Sequence, residues 1–443
     1  MDIQLFLKNV SELLVSWPLF IFVAIVGLVC TVAFNFIQFR YFMYAWKQVL
    51  FPPKTQAASS TADMTPIQAF MNTLSSNLGN GTIAGVATGI YSGGPGAAVW
   101  LFLFGIILMS VRFAEAFLSM HYASMAPAGG KLGGPMLYLR QVIGGPQLSW
   151  AYGLLCFYFC LVGGNSVQTN SIALSFQRTF GIAPIISAIV LTLLILYIVG
   201  GGAARIIKIS LAMVPVKIVV FFSTTLIVLV YHYAAIIPAI SLMIKSAFTP
   251  TAAVGGLVGF SIQQAISAGM MRQIFATESG LGTAGILFGS TGSKAPVKDA
   301  IVAMLSTFIS TIFCFIVALC IVASGVWNSG LTSTPLTIEA FRTVFGSFGG
   351  YAVTFLSVTF GVGVLIAYAY ITREVWLFLT GNRYAFMFPV LYCLFAFGGA
   401  LIDPTMLWST NDIFMAPMLA INLFGILYLL PVIIKNIAAF AKS

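Results

Sequence analysis

The chain has 443 residues, of which 60% are hydrophobic and only 7% charged, with a mean hydropathy of +1.03. A soluble domain carries about 25% charged residues, so the composition excludes a water-exposed globular surface and leaves an all-α, polytopic membrane protein. The formal net charge of +10 would by itself fit a nucleic-acid partner, but the placement of the charges gives it another meaning.

At 1.5 Å rise per residue a membrane crossing needs about 20 mostly apolar residues. The apolar runs predict helices at 17–44, 66–91, 95–124, 147–178, 182–200, 204–233, 251–289, 296–326, 349–379, 383–401 and 406–438. Pro and Gly mark many junctions, among them Pro52-Pro53, Gly93-Gly94-Pro95, Gly133-Gly134-Pro135, Gly144-Gly145-Pro146 and Gly200-Gly201-Gly202. The first apolar run is too long for a cleavable leader and lacks a small-residue cleavage site. Eleven crossings can be tested against the positive-inside rule. With the N-terminus outside, fifteen of the 20 Lys and Arg residues fall in inside segments. Only Lys8, Arg178, Lys245 and Arg342 fall outside, and Lys217 lies mid-helix. A miscounted helix would scramble this alternation, so the basic balance reads as orientation, with the C-terminus in the cytoplasm and no nucleic-acid partner.

The six cysteines sit inside apolar runs and read as small core residues, although Cys156 and Cys160 lie one helical turn apart. His121 and His232 fall near helix ends. No Ser/His/Asp, Cys/His, metal-ligand or phosphate-loop pattern occurs. No catalytic residue and no cofactor is expected, and a membrane-embedded enzyme would need such a constellation.

Two of the helices are poor helices. Residues 66–91 contain Ser75-Ser76-Asn77-Leu78-Gly79-Asn80-Gly81-Thr82. Residues 251–289 contain Gly255-Gly256, Ser267-Ala268-Gly269 and Glu278-Ser279-Gly280-Leu281-Gly282. Each glycine costs about 1 kcal/mol against alanine in a helix interior, and unwound backbone at membrane depth is tolerated only where it is buried or lines a cavity. The alternative is close helix packing through small residues. Residues 1–65 form an extra N-terminal helix and loop. The two interrupted helices then open five-helix blocks at 66–233 and 251–438. An odd number of crossings makes the blocks run in opposite directions, and paired interrupted helices in inverted repeats point to a midplane transport site.

Several motifs in order carry a resemblance. They are Gly79-Asn80-Gly81-Thr82-Ile83-Ala84-Gly85-Val86-Ala87, then Gly93-Gly94-Pro95-Gly96-Ala97 with Trp100, then Phe113-Ala114-Glu115 and Gly133-Gly134-Pro135-Met136. Gly164-Asn165-Ser166-Val167-Gln168-Thr169-Asn170 follows, and then Arg272 with Phe275, Glu278, Gly280 and Gly282. From about residue 36 to 438 the chain resembles the alanine or glycine:cation symporter family of the amino acid–polyamine–organocation superfamily. The resemblance implies a leucine-transporter-type 5+5 inverted-repeat fold and symport of a small neutral amino acid with a cation, usually sodium. It implies a multi-pass protein of the bacterial or archaeal cell (inner) membrane. Its expected partners are the amino acid and membrane lipid; the sequence carries no signal for an oligomeric state. The alternative is an uncoupled amino acid channel, facilitator or sensor on the same fold.

Backbone N–H groups freed at a half-helix start attract a carboxylate, which places the substrate carboxylate at Gly79, Asn80, Gly81 and Thr82. The amino group is expected near Ser267 and Gly269. Gln168 matches a helix-three glutamine of the family and is either a pocket residue or an interhelical hydrogen-bond donor; Asn170 is a weaker candidate. The chain also departs from the family. The family reads Gly-Thr-Gly-Asn at 79–82, Phe102 replaces a tryptophan, its paired threonines fall on Val364 and Leu365, and another tryptophan falls on Ala369. These departures predict missing cation-ligand hydroxyls and a wider pocket.

Among the acids, Glu115 follows Arg112 by three residues, the spacing of an ion pair on one helical face. Glu278 lies deep enough to be costly if unpaired, which leaves a gate or structural salt bridge, coupling chemistry with Thr277 and Thr82, or a solvated position. Lys217 lies about 20 Å into its helix, past the middle of a ~30 Å core, where a lysine costs several kcal/mol unless paired or facing a cavity. Proton-driven members of the wider superfamily carry a lysine in the equivalent helix, its amine where sodium would sit. A desolvated amine can exchange a proton, so sodium-independent transport is expected, with Lys217 in place of a cation. Snorkelling, or a fixed pairing with Glu278, is the other reading.

Overall fold

A computed structural model describes residues 3–51, 63–123, 133–249, 260–381 and 383–442. The chain opens with α1 (Ile3–Leu14) and α2 (Trp17–Ala33). Positive φ at Asn35 and Phe36 ends α2. Short α3 (Ile37–Arg40) and α4 (Phe42–Leu50) follow, so the helix expected over 17–44 is divided. The expected 66–91 helix is two pieces, α5 (Pro66–Asn77) and α6 (Val86–Gly93), joined through residues 78–80 and a π-helical turn, Gly81–Gly85. Next come α7 (Ala97–Ala123) and α8 (Pro135–Tyr138). A second π-turn, Val162–Ser166, joins α9 (Gly145–Leu161) to α10 (Val167–Phe180).

The middle of the chain forms α11 (Pro184–Val199), α12 (Gly202–Tyr231) and α13 (Tyr233–Phe248). The expected 251–289 helix is again two pieces, α14 (Ile262–Thr277) and α15 (Thr283–Gly289); Gly255-Gly256 lies outside the described residues. The break falls at 278–282, where Glu278, Gly280 and Gly282 have φ of 55°, 95° and 81°. The interruption expected at Ser267-Ala268-Gly269 is absent: α14 runs through it, and Gly269 lets the helix lie against the Ala97 carbonyl and Trp100 of α7. The chain ends in α16 (Pro296–Ala323), α17 (Ser333–Phe345), α18 (Phe348–Thr380), α19 (Phe388–Gly399), α20 (Pro404–Tyr428) and α21 (Leu430–Lys442).

Among the described residues seven helices are long and apolar enough to cross a membrane: Ile3–Ala33, Ala97–Ala123, Gly145–Phe180, Gly202–Tyr231, Pro296–Ala323, Phe348–Thr380 and Pro404–Tyr428. The interrupted pair α5–α6 and α14–α15 is enclosed by α7, α16 and α18. Outer helices expose apolar side chains, such as Val190 and Leu193 on α11 and Val219 and Val230 on α12. Such surfaces belong in lipid, which offers no partner to open backbone, and the two helix breaks, at 78–85 and 278–282, are buried. Both interrupted helices open with a capping box. Thr65 Oγ1 accepts from Gln68 N–H and Gln68 Oε1 from Thr65 N–H; Ser261 and Gln264 repeat the exchange.

Candidate functional site

The two breaks meet at a small cavity of about 10 Å³, room for roughly one water molecule. Its wall includes Ser76, Asn77, Gly79 and Gly81 from the first break, Phe275, Ala276 and Glu278 from the second, Gly163 and Gln168 from α9–α10, and Val364 and Tyr368 from α18. On one side the Phe275 ring meets Trp408 edge-on at 4.8 Å between centroids, and the Arg272 guanidinium lies 4.7 Å over the same indole. On the other side Glu278, turned by its left-handed backbone, accepts from the Thr283 hydroxyl at 2.6 Å and lies 3.5 Å from the Ser76 hydroxyl.

Gln168 ties the irregular segments together. Its Oε1 accepts the Asn80 N–H at 3.0 Å, and its Nε2 donates to the Gly163 carbonyl at 3.2 Å. Each π-turn leaves backbone groups without their ordinary helical partners, and this one amide satisfies one group from each side. The Asn80 side chain points away from the cavity, where Ser357 Oγ donates to its Oδ1 at 2.8 Å. Thr82 is likewise absent from the cavity wall, and its N–H goes to the Gly79 carbonyl at 3.0 Å.

Lys217 crosses from α12 to the first break. Nζ donates to the Ser75 carbonyl at 2.6 Å and the Leu78 carbonyl at 2.8 Å, with Ser75 Oγ at 3.4 Å. The amine is fully buried. It neither snorkels nor pairs with Glu278; it caps carbonyls that α5 leaves open at its C-terminal end, where the helix dipole favours a cation.

Other expected site residues lie elsewhere. Asn170 Nδ2 donates to the carbonyls of Gly399 and Ile402 and holds the turn between α19 and α20. Ser267 and Gly269 belong to the unbroken part of α14. The Thr277 hydroxyl bonds back to Gln273 O at 2.8 Å. Phe102 packs on Phe315, 5.3 Å between centroids, away from the cavity. Ala369 does not line it either; Tyr368 does, which removes the ground for a widened pocket. In the sequence Tyr368 is one more aromatic inside an apolar run and does not stand out, although it follows Val364 by one helical turn and shares its face.

Apolar helices around a small polar cavity, built from two interrupted helices, define a multi-pass membrane transport protein. The whole chain, residues 1–443, matches the sodium:alanine symporter family, and the chain belongs to that family. An uncharacterized transporter of Haemophilus influenzae is 31% identical over 440 residues, 98% of this chain and 96% of that protein. The sodium/alanine symporter AgcS of Methanococcus maripaludis is 31% identical over 423 residues, 94% and 92% of the two chains. A probable sodium/glutamine symporter, GlnT of Bacillus subtilis, is 26% identical over 440 residues, 98% and 90%. Among solved structures, a mutant manganese transporter of Eremococcus coleocola covers 80% of this chain and 78% of its own at TM-score 0.40 and 16% identity, a likeness too distant to carry an argument.

Proposed function

We propose that the chain is a symporter for a small neutral amino acid of the alanine or glycine kind, with the Lys217 ammonium in the place of a coupling sodium ion. The observation that carries this reading is the fully buried Nζ on the Ser75 and Leu78 carbonyls. Carbonyl oxygens at a half-helix end are what a transporter offers a sodium ion, and here a covalently tethered cation holds them. A proton leaving Nζ would remove that charge and release the break, so a proton can do what sodium does in relatives.

The amino acid carboxylate is assigned to the backbone N–H groups of Gly79–Gly81, displacing Gln168 Oε1 from Asn80. The ammonium is assigned to Glu278, across the cavity, in place of the Ser267–Gly269 position. Val364, Ala276 and Phe275 give the cavity an apolar wall suited to a short side chain. Eleven crossings follow if α11, α19 and the two interrupted helices are counted with the seven long spans, arranged as inverted repeats 66–233 and 251–438. The matched capping boxes of α5 and α14 support the pairing. We assign the N-terminus to the outside and the C-terminus to the cytoplasm.

The deciding experiment is alanine uptake into proteoliposomes in sodium-free buffer under an imposed inward proton gradient. The parent should accumulate substrate, and Lys217→Met should abolish proton-driven accumulation. Strict sodium dependence that survives Lys217→Met would overturn the assignment of the lysine; equilibration without accumulation would indicate a facilitator.

A further inference from the structure

Outside the cavity, buried charge gathers at the second break. Arg112 and Glu115, one turn apart on α7, are both fully buried, with Nη1 and Oε2 3.3 Å apart. Those two atoms make no hydrogen bond. Arg112 Nη2 and Glu115 Oε1 bond instead to the interrupted segment. Arg112 Nη2 donates to the carbonyl of Thr277, the last residue of α14, and Nε reaches Thr307 Oγ1 at 3.4 Å. Glu115 Oε1 accepts the N–H of Gly282, just before α15, at 2.7 Å. It also accepts from Asn422 Nδ2 at 2.9 Å, and that amide donates to the Gly280 carbonyl at 2.7 Å. Tyr138 hydroxyl donates to Asn422 Oδ1, and Tyr152 hydroxyl to the Leu281 carbonyl at 2.6 Å.

The signs match the backbone. A cation sits on the carbonyl end of α14 and an anion on the amide end of α15, the arrangement that helix dipoles favour. Positive φ at Glu278, Gly280 and Gly282 prevents the helix from closing its own ladder, so these polar groups need partners from other helices. The same segment carries Glu278 into the cavity wall, while Arg112 and Glu115 do not line it.

We propose that Arg112 and Glu115 form a clasp that holds α14 and α15 at the angle closing the cavity, and that α15 swings away when the clasp lets go of the Thr277 carbonyl and the Gly282 N–H. The two are positioning residues for translocation and bind no substrate. The proposal rests on the transport reading only for what the movement accomplishes; the movement itself can be measured with no substrate present.

The test is the rate at which a methanethiosulfonate reagent labels a cysteine introduced by Ser76→Cys, with Arg112 and Glu115 varied in that background. Labelling should rise about tenfold or more in Glu115→Ala, which loses a charge-assisted bond to Gly282, and less in Glu115→Gln, which keeps an acceptor there. The double exchange Arg112→Glu with Glu115→Arg should not restore the parental rate, because each charge then faces the wrong helix end. Restoration by the exchange would overturn the proposal in favour of a simple ion pair, and so would an unchanged rate in folded Glu115→Ala. If Glu115→Ala does not fold, Glu115→Gln decides, an unchanged rate again overturning it. In liposomes Glu115→Gln should lower the maximal uptake rate with KM held within about twofold; a change confined to KM would overturn it. Absence of amino acid uptake in the parent would defeat the transport reading and leave the labelling result standing.

Discussion

At Gly363 an added β-carbon would lie 2.2 Å from Lys217 Cε and 2.4 Å from Nζ, so the amine reaches its carbonyls only because α18 has no side chain there. Gly363→Ala should therefore reproduce the transport defect expected of Lys217→Met in the same proton-driven uptake; parental uptake would show that the amine has room to spare and that its seat is not critical. At Gly81 a β-carbon would fall 2.8 Å from two ring atoms of Phe275. Gly81→Leu should drive that ring into the cavity and weaken alanine binding by more than about tenfold, a loss of ~1.4 kcal/mol or more, in a protein that still folds. Isothermal titration reads this directly, and unchanged affinity would move the substrate elsewhere. Glu278 and Lys217 were legible in the sequence because a carboxylate or an amine at membrane depth is costly unless it is paired or faces a cavity. Gly79 and Gly81 were legible because clustered glycines weaken a helix where lipid offers the backbone no other partner, and Gln168 through the motif around it. Asn80, Thr82 and Thr277 join the site in the sequence by adjacency alone. Their side-chain directions depend on a π-turn at the first break and on the last turn of α14 at the second, and sequence spacing does not report either. Ser267 and Gly269 show the converse error: small residues that read as a break are a packing surface for α7.

The interrupted helices show what makes a short half-helix hold at membrane depth. α5 has 12 residues and α14 has 16, near the length at which isolated helices are marginal in water, and each begins with a reciprocal cap. Removing such a cap costs about 1 kcal/mol. Thr65→Ala and Ser261→Ala should each lower thermal stability, and with no hydrogen-bond partner in common their effects should add; a double variant far from the sum, in a melting series, would mean that the two helix starts are coupled. The long helices were legible from apolar runs of membrane length. α1 and α17 were not, because a search for ~20-residue spans passes over amphipathic helices of 12 and 13 residues, and α13 was not, because it follows α12 across a single residue, His232. α17 nevertheless bears on the site: the Thr337 hydroxyl donates to the Ile83 carbonyl at 3.2 Å inside the first π-turn, a contact between residues 254 apart in sequence that no local pattern foreshadows.

For the whole molecule, a ligand bound only by the folded state adds about 2.7 kcal/mol of stability at a hundredfold excess over Kd. Alanine or glycine should raise the melting temperature of the detergent-purified protein, and sodium without amino acid should not, since Lys217 already holds the carbonyls. A sodium-induced rise in the absence of amino acid would count against the lysine. Gln168 adds a consequence for traffic. On the proposed carboxylate assignment, its own oxygen on the Asn80 N–H and its own amide on the Gly163 carbonyl would give the unloaded carrier a stand-in for cargo. A carrier must reset before the next round, and closing around bare amide and carbonyl groups would cost about 1–3 kcal/mol for each one left unmet. On that assignment the glutamine would spare the empty return that penalty, and the substrate carboxylate would displace it on the loaded passage. Gln168→Leu should thus slow net uptake, which needs an empty return, more than exchange of internal for external alanine, which does not. Equal slowing of both would mean that the glutamine serves only the loaded carrier.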